Sequence, residues 1–203
     1  MTAAVQSALD HVTIYDQEAQ AAALKLIAMP VCGLLMLRAS SDAEALGKAL
    51  STRCGMTLPA RLSSNQKVDL CIRWMSPDQW LLSCPLQTVY GVERDLRQSV
   101  EGHIAIGNGS GGYSTLHLQG DNARSVLMKS TGYDVDPQHF TAGKVVNTMV
   151  AKAQATLRCV STDHYELLVR RSLADYLWRW LLHAGEEYDM ISGRSDTIGL
   201  HAD

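Results

Sequence analysis

An α+β fold with mixed or antiparallel sheets and packed helices is what this sequence predicts, and three observations predict it. Helix-like and strand-like segments interleave without a strict strand–helix–strand rhythm. Strands follow one another across tight reversals, the clearest at Ser76-Pro77-Asp78, where Pro at the second turn position and Asp after it suit a β-turn. No internal repeat is visible, and a chain of 203 residues is long enough to bury a proper core, as one domain or as two small lobes.

The elements follow in order. Residues 1–28 read as an N-terminal arm, with helix expected in the Ala-rich stretch 18–26. A strand is expected over 31–38. Ser41 and Glu44 have the spacing of a capping box, in which each side chain satisfies a backbone N–H near the other, so a helix should open there and run to about residue 51 with Ala45, Leu46, Ala49 and Leu50 inward. Residues 54–66 are rich in turn formers and read as a loop. Strands are expected over 68–74 and 80–84, then an amphipathic helix over 86–100 with Val89, Val92, Leu96 and Val100 on one face. Strands over 103–106 and 113–119 follow. Asp121 caps a helix through Lys129 with Ala123, Val126 and Leu127 inward, and Asp136-Pro137 marks a second helix start, cap followed by Pro at the first helical position. Strands are expected over 145–151, 155–159 and 166–169, and a last helix from Ser172 to about Tyr188. The polar, Gly-containing residues 191–203 read as a flexible tail. The domain thus spans 29–190, with a break near 101–112 if it divides into two lobes.

Composition narrows the function classes. Hydrophobic residues make up 46% and charged residues 19%, an ordinary globular balance. The net charge of −3 argues against a nucleic-acid partner, since such binders carry a basic excess or patch. The apolar run 26–37 is only 12 residues long and contains Pro30 and Gly33, whereas a membrane span needs about 20, so it is read as a buried strand and no membrane partner is expected. The five cysteines, with no C-x-x-C and no secretory leader at the N-terminus, fit free thiols in a reducing cytoplasm and give no support to a zinc cage.

Several motifs invite chemistry and have plainer readings. Residues 107–112 (GNGSGG) match G-x-G-x-x-G, but a dinucleotide site needs a helix next, and Tyr113 onward alternates like a strand. An inter-strand loop is the favoured reading. The seven histidines form no H-x-x-x-H or H-x-H spacing; His117 sits with Thr115 and Gln119 on a polar strand face, His139 near Asp136, and His183 on the last helix. Cys71 and Cys84 fall in apolar strands and read as core thiols. Asp134 and Asp136 mark a turn and cap, and Glu186-Glu187 a solvated helix end. On the last helix Asp175, Arg179, His183 and Glu186 form one narrow polar strip, with Asp175 and Arg179 an i,i+4 pair. Its other positions up to Ala184, including Trp178 and Trp180, are nearly all apolar, more than a surface helix requires, so the helix is either sandwiched inside the domain or docked on a partner. Arg170-Arg171 is an interface anchor or a solvated turn. No catalytic, cofactor-binding or metal-ligating residue is assigned.

Two blocks carry a family resemblance. Residues 113–188 (YSTLHLQGDNARSVLMKSTGYDVDPQHFTAGKVV… to …YELLVRRSLADYLWRWLLHAGEEY) and residues 72–85 (IRWMSPDQWLLSCP) resemble the gamma subunit of heterotetrameric sarcosine oxidases. The family's Leu-Trp-Leu-Gly-Pro-Asp-Glu-Trp falls here within Ile72 to Trp80, with Ser76 for Gly and Gln79 for Glu, and its Arg-Ser-Phe-Ala-Asp-Tyr stands as Arg171 to Tyr176 with Leu173 for Phe. The resemblance implies a fold like the folate-binding aminomethyltransferase (T-protein) domain. It implies a non-catalytic assembly subunit, with alpha, beta and delta subunits as partners that carry NAD and folate sites, FAD and covalent FMN, and zinc, in a complex that oxidatively demethylates sarcosine. None of those cofactors is expected in this chain. The alternatives are the equivalent subunit of N-methylglutamate dehydrogenase, or a stand-alone folate-binding aminomethyltransferase-like protein, which would need a sheltered carboxylate in a pterin-sized pocket.

Overall fold

The computed structural model describes residues 5–14 and 23–195. In chain order its elements are β1 (Leu24–Ala28), β2 (Gly33–Arg38), α1 (Ala43–Cys54), β3 (Ser64–Lys67), β4 (Leu70–Ser76), β5 (Gln79–Cys84), α2 (Val89–Ser99), β6 (Ala105–Asn108), β7 (Tyr113–Gly120), α3 (Ala123–Ser130), β8 (Val145–Val150), β9 (Ala153–Ser161), β10 (His164–Arg170), α4 (Ala174–Gly185) and β11 (Ile191–Arg194). The fold is α+β, as the interleaved pattern requires. Among the described residues the chain divides into two compact units, one formed by 5–14, 23–31 and 112–195, the other by 32–111.

The first unit is a six-stranded sheet in the order β11-β1-β7-β10-β9-β8, antiparallel except where β1 and β11 run parallel. Alternation builds its apolar face: Ala28, Leu116, Leu167, Leu157 and Val146 stand opposite one another across five strands. Helix α4 lies against β1, β7 and β10, and α3 against β7. Their buried residues recur at helical spacing, Ala174, Leu177, Trp178 and Leu181 on α4 and Ala123, Val126 and Leu127 on α3. At the end of β7, Gly120 has φ +117°, and a Cβ there would fall 2.0 Å from the Ala23 carbonyl oxygen. Only glycine lets β7 close on the start of β1.

The second unit is an antiparallel five-stranded sheet in the order β3-β4-β5-β2-β6. Its core gathers Leu35, Leu37, Ile72, Trp80 and Leu82 from the sheet, Leu46 and Leu50 from α1, and Val89 and Leu96 from α2. The reversal at Pro77-Asp78 is clamped by Arg38 Nε, which donates to Asp78 Oδ2 at 2.7 Å. That guanidinium holds the Asp78 carboxyl below the usual carboxylate range.

Several segments differ from the sequence reading. Leu24–Ala28 is an interior strand, not arm or helix: Leu24, Leu26 and Ala28 point into the core at a period of two. The part of the expected helix at 18–22 lies outside the described residues. The run 26–37 holds two strands rather than one, since the chain passes from the first unit to the second between Val31 and Cys32. Ile191–Arg194, expected as tail, is a strand held by backbone pairing to β1. Ser64–Lys67, expected as loop, pairs with β4. The capping box does not form: Asp42 occupies the N-cap of α1, and its carboxylate accepts from His103 N–H at 2.9 Å instead. Asp136-Pro137 opens a single turn rather than a helix, because the N–H groups of His139 and Phe140 both close on the Asp136 carbonyl and Phe140 then drops into the core.

Trp178 is 4% exposed. Trp178→Ala is therefore expected to lower the unfolding free energy by about 3–5 kcal/mol, read from urea denaturation of the isolated chain.

Candidate functional site

The second face of the six-stranded sheet carries a cluster of titratable groups. Its residues are those that alternate with the apolar row: His117 stands opposite Glu166 across β7 and β10, and Glu166 opposite Arg158 across β10 and β9. One row further along the strands, Gln119 stands opposite His164. His117, Glu166 and Arg158 are all buried. His164 Nε2 lies 2.9 Å from His117 Nδ1 and 3.0 Å from the Gln119 amide nitrogen. His117 Nε2 lies 3.8 Å from Glu166 Oε2, and Arg158 donates to the same oxygen at 3.5 Å. The next row toward the other strand end continues the pattern, with Thr156 Oγ1 donating to Asn147 Oδ1 at 2.6 Å.

Burial dominates the electrostatics of this row. It pushes the His164 imidazole down to about 4, with Arg158 adding to the effect and Glu166 opposing it. At neutral pH His164 is therefore uncharged, and its Nε2 can accept from His117 or from Gln119. The arrangement ties three strands together.

The other residues weighed from the sequence are scattered. The segment 107–112 ends β6 and turns directly into β7, and Leu34 ties it down through its carbonyl, which accepts from Gly109 N–H at 2.8 Å, and its N–H, which donates to Ser110 Oγ at 3.0 Å. Without a following helix it lacks the geometry that holds a pyrophosphate. Cys71 and Cys84 are buried core thiols, and burial pushes the Cys84 thiol up, away from reactivity. His139 Nδ1 pairs with Asp134 Oδ2 at 2.8 Å, and His183 Nδ1 with Glu186 Oε2 at 3.2 Å, both in solvent. Asp134 and Asp136 accept from backbone N–H groups two residues on, the bonds of a turn. Glu187 pairs with Lys129, and Asp175 with Arg179 at 2.8 Å. The Arg170 guanidinium lies over the Tyr113 ring at 5.6 Å, and Arg171 donates to the Gln6 carbonyl. Among the described residues no three His, Cys, Asp or Glu side chains converge as a metal site, and no helix is long and apolar enough to cross a membrane.

A concavity of the first unit, about 260 Å³, is lined by Arg124, Met128, Thr131, Tyr133, Asp134, Val135 and Asp136. It is smaller than the roughly 300–1,000 Å³ typical of pockets that take drug-sized ligands. Sequence reasoning placed His117 on a polar face but missed Glu166, Arg158 and His164 as its neighbours. The period-two signal His164-x-Glu166 was present, and only the strand register joins it to His117.

A family model described as sarcosine oxidase, gamma subunit family matches residues 38–187. Among curated proteins, the chain is similar to sarcosine oxidase subunit gamma of Corynebacterium sp. (strain U-96), 25% identical over 147 residues that make up 69% of each chain. Among solved structures it is similar to a chain of heterotetrameric sarcosine oxidase from Corynebacterium sp. U-96, with a TM-score of 0.77, 23% identity, and 91% of this chain and 96% of that one covered. The glycine cleavage aminomethyltransferase T of Bartonella henselae shares the fold at a TM-score of 0.61 and 15% identity, covering 85% of this chain but only 48% of that one.

The buried row yields a pH prediction. Unfolded, His164 takes up its proton near pH 6.5; folded, only near 4. Between those values the unfolded chain binds more protons, so stability is full above the window and falls as pH falls through it, with a slope approaching 1.4 kcal/mol per pH unit. His164→Gln is expected to remove that slope, read from urea denaturation across the window.

Proposed function

From the premise that this chain belongs to the sarcosine oxidase, gamma subunit family, we propose that it is a non-catalytic assembly subunit of a heterotetrameric oxidase acting on sarcosine. The observation that carries the reading is the family match, which runs through both compact units rather than through one motif. Supporting it, His117, Glu166 and Arg158 on the six-stranded sheet are buried and stand opposite one another across strands, which suits a scaffold.

In this reading the alpha, beta and delta subunits hold the NAD, tetrahydrofolate, FAD, FMN and zinc. The flavin accepts two electrons from the N-methyl group of sarcosine and passes them to oxygen, giving hydrogen peroxide, glycine and a one-carbon unit that goes to tetrahydrofolate or leaves as formaldehyde. This chain's part is to supply surface. None of the five cysteines is in a disulfide, which fits assembly in the cytoplasm.

Co-expression with the partner subunits followed by native mass spectrometry tests this. A yellow four-chain particle with one copy of this chain is the expected result. A lone chain that binds tetrahydrofolate would overturn it in favour of an aminomethyltransferase-like protein, and a particle that oxidises N-methylglutamate instead of sarcosine would move it to that sister complex.

A further inference from the structure

The hollow of about 260 Å³ is lined by helix α3 and by the loop that follows it. Its helical side carries Arg124 and Met128, one turn apart on α3 and so on one face. Its other side is the loop from Thr131 to Asp136, anchored by Val135, which is buried. The helix thus brings a guanidinium to the hollow, and the loop brings two carboxylates, Asp134 and Asp136. Opposite charges lining one hollow could close on each other, and here they do not. Arg124 meets Asp163 and Asp134 meets His139, while neither loop carboxylate pairs with Arg124.

Both sides keep bonding capacity. Arg124 Nη2 lies 3.4 Å from Asp163 Oδ1, longer than the roughly 2.7–2.9 Å of a well-made bond between guanidinium and carboxylate. Arg124 Nε and the Tyr165 hydroxyl are both buried with no hydrogen-bond partner, a costly state for polar atoms, while the Arg124 side chain as a whole stays 25% exposed. On the loop, Asp136 accepts the Gln138 N–H at Oδ1, and its Oδ2 meets no donor among the described residues. Asp134 is held ionised below the usual carboxylate range, chiefly by the Asp136 N–H, with His139 and Lys144 adding to the effect. The turn bonds fix both carboxylates before anything binds, so little freedom is lost when something does.

The geometry points to a binding site for a small α-amino acid in its zwitterionic form, with its carboxylate on Arg124, its ammonium group on Asp136 in the field of Asp134, and its aliphatic carbon against Met128 and Val135. A ligand with a single charge answers one side of the hollow and leaves the other unmet, whereas a zwitterion answers both. The volume suits that class, being smaller than a pocket for a drug-sized ligand. The step is binding alone, with no bond made or broken. Sarcosine and glycine, substrate and product in the assembly reading, belong to this class, but the inference rests on the hollow and not on that reading.

The test titrates the full-length chain, labelled with nitrogen-15, with glycine at millimolar concentration, and separately with acetate and methylammonium as the two halves of the zwitterion. Backbone amide shifts report where each binds, and thermal unfolding reports the fold of every variant. Glycine is expected to give saturable shifts confined to residues 124–136, with far weaker responses to either half. Asp136→Asn keeps the turn, because its side-chain oxygen can still accept from Gln138, and should weaken glycine binding about tenfold; Arg124→Gln should do the same. Asp163→Asn removes the competing partner of Arg124 and should leave glycine binding intact or tighter, which separates loss of the guanidinium from loss of its ion pair. The absence of saturable shifts at 124–136 with glycine overturns the site. An equal response to acetate or to methylammonium overturns the zwitterion, and glycine binding that survives Asp136→Asn at full strength does so too. None of these results depends on whether the chain enters a complex, so this inference and the assembly reading fail separately.

Discussion

Five rungs between β1 and β7, from Leu24 opposite Gly120 to Ala28 opposite Leu116, hold together a unit whose two stretches of chain lie on either side of residues 32–111. The pairing closes a long loop, a cost that grows only slowly with loop length and is offset by the apolar surface of Leu24, Leu26 and Ala28 buried against α4 and its neighbours. Everything in that unit leans on it. The last strand, β11, finds its ladder on the far edge of β1. The Gly120 backbone, with no Cβ to collide with Ala23, is what lets the pairing reach its final rung.

The same sheet then has to solve the problem of its second face. His117, Glu166 and Arg158 are buried there, and burying charge is costly unless each group meets partners of suitable geometry. Cross-strand register supplies them, since opposite residues fall within reach without any special loop. The row thereby specifies register as well as filling space. A slip of one residue would turn His117 and Glu166 toward the helices and Leu116 and Leu167 toward the polar row. This gives a physical reason for such groups in a chain proposed to act as a scaffold.

Much of this was legible in the sequence where one signal acted alone. The alternation of β7 and β10, the apolar faces of α2 and α3, and the Pro77-Asp78 reversal are local properties, and the structure has them. What was not legible depends on the partner strand. Ser64–Lys67 carries no apolar alternation and is a strand only because β4 lies beside it, and Ile191–Arg194 is one only because β1 does. Asp42 could have capped α1 through its side chain, but the N–H of His103, 61 residues away, takes that carboxylate. Helix α4 was readable as having too much apolar surface for one face. The structure resolves the surplus into Trp178 inside and Trp180 at the surface.

The central claim is that this chain works through its surface and not through an interior site, and hydrogen exchange on the isolated chain and on the chain within its complex tests it most directly. The account predicts that assembly raises protection in exposed segments of the chain, while β7 and β10 are equally protected in both states. Protection that stays unchanged in those segments on assembly, but rises along β7 and β10 when tetrahydrofolate is added to the isolated chain, would contradict it.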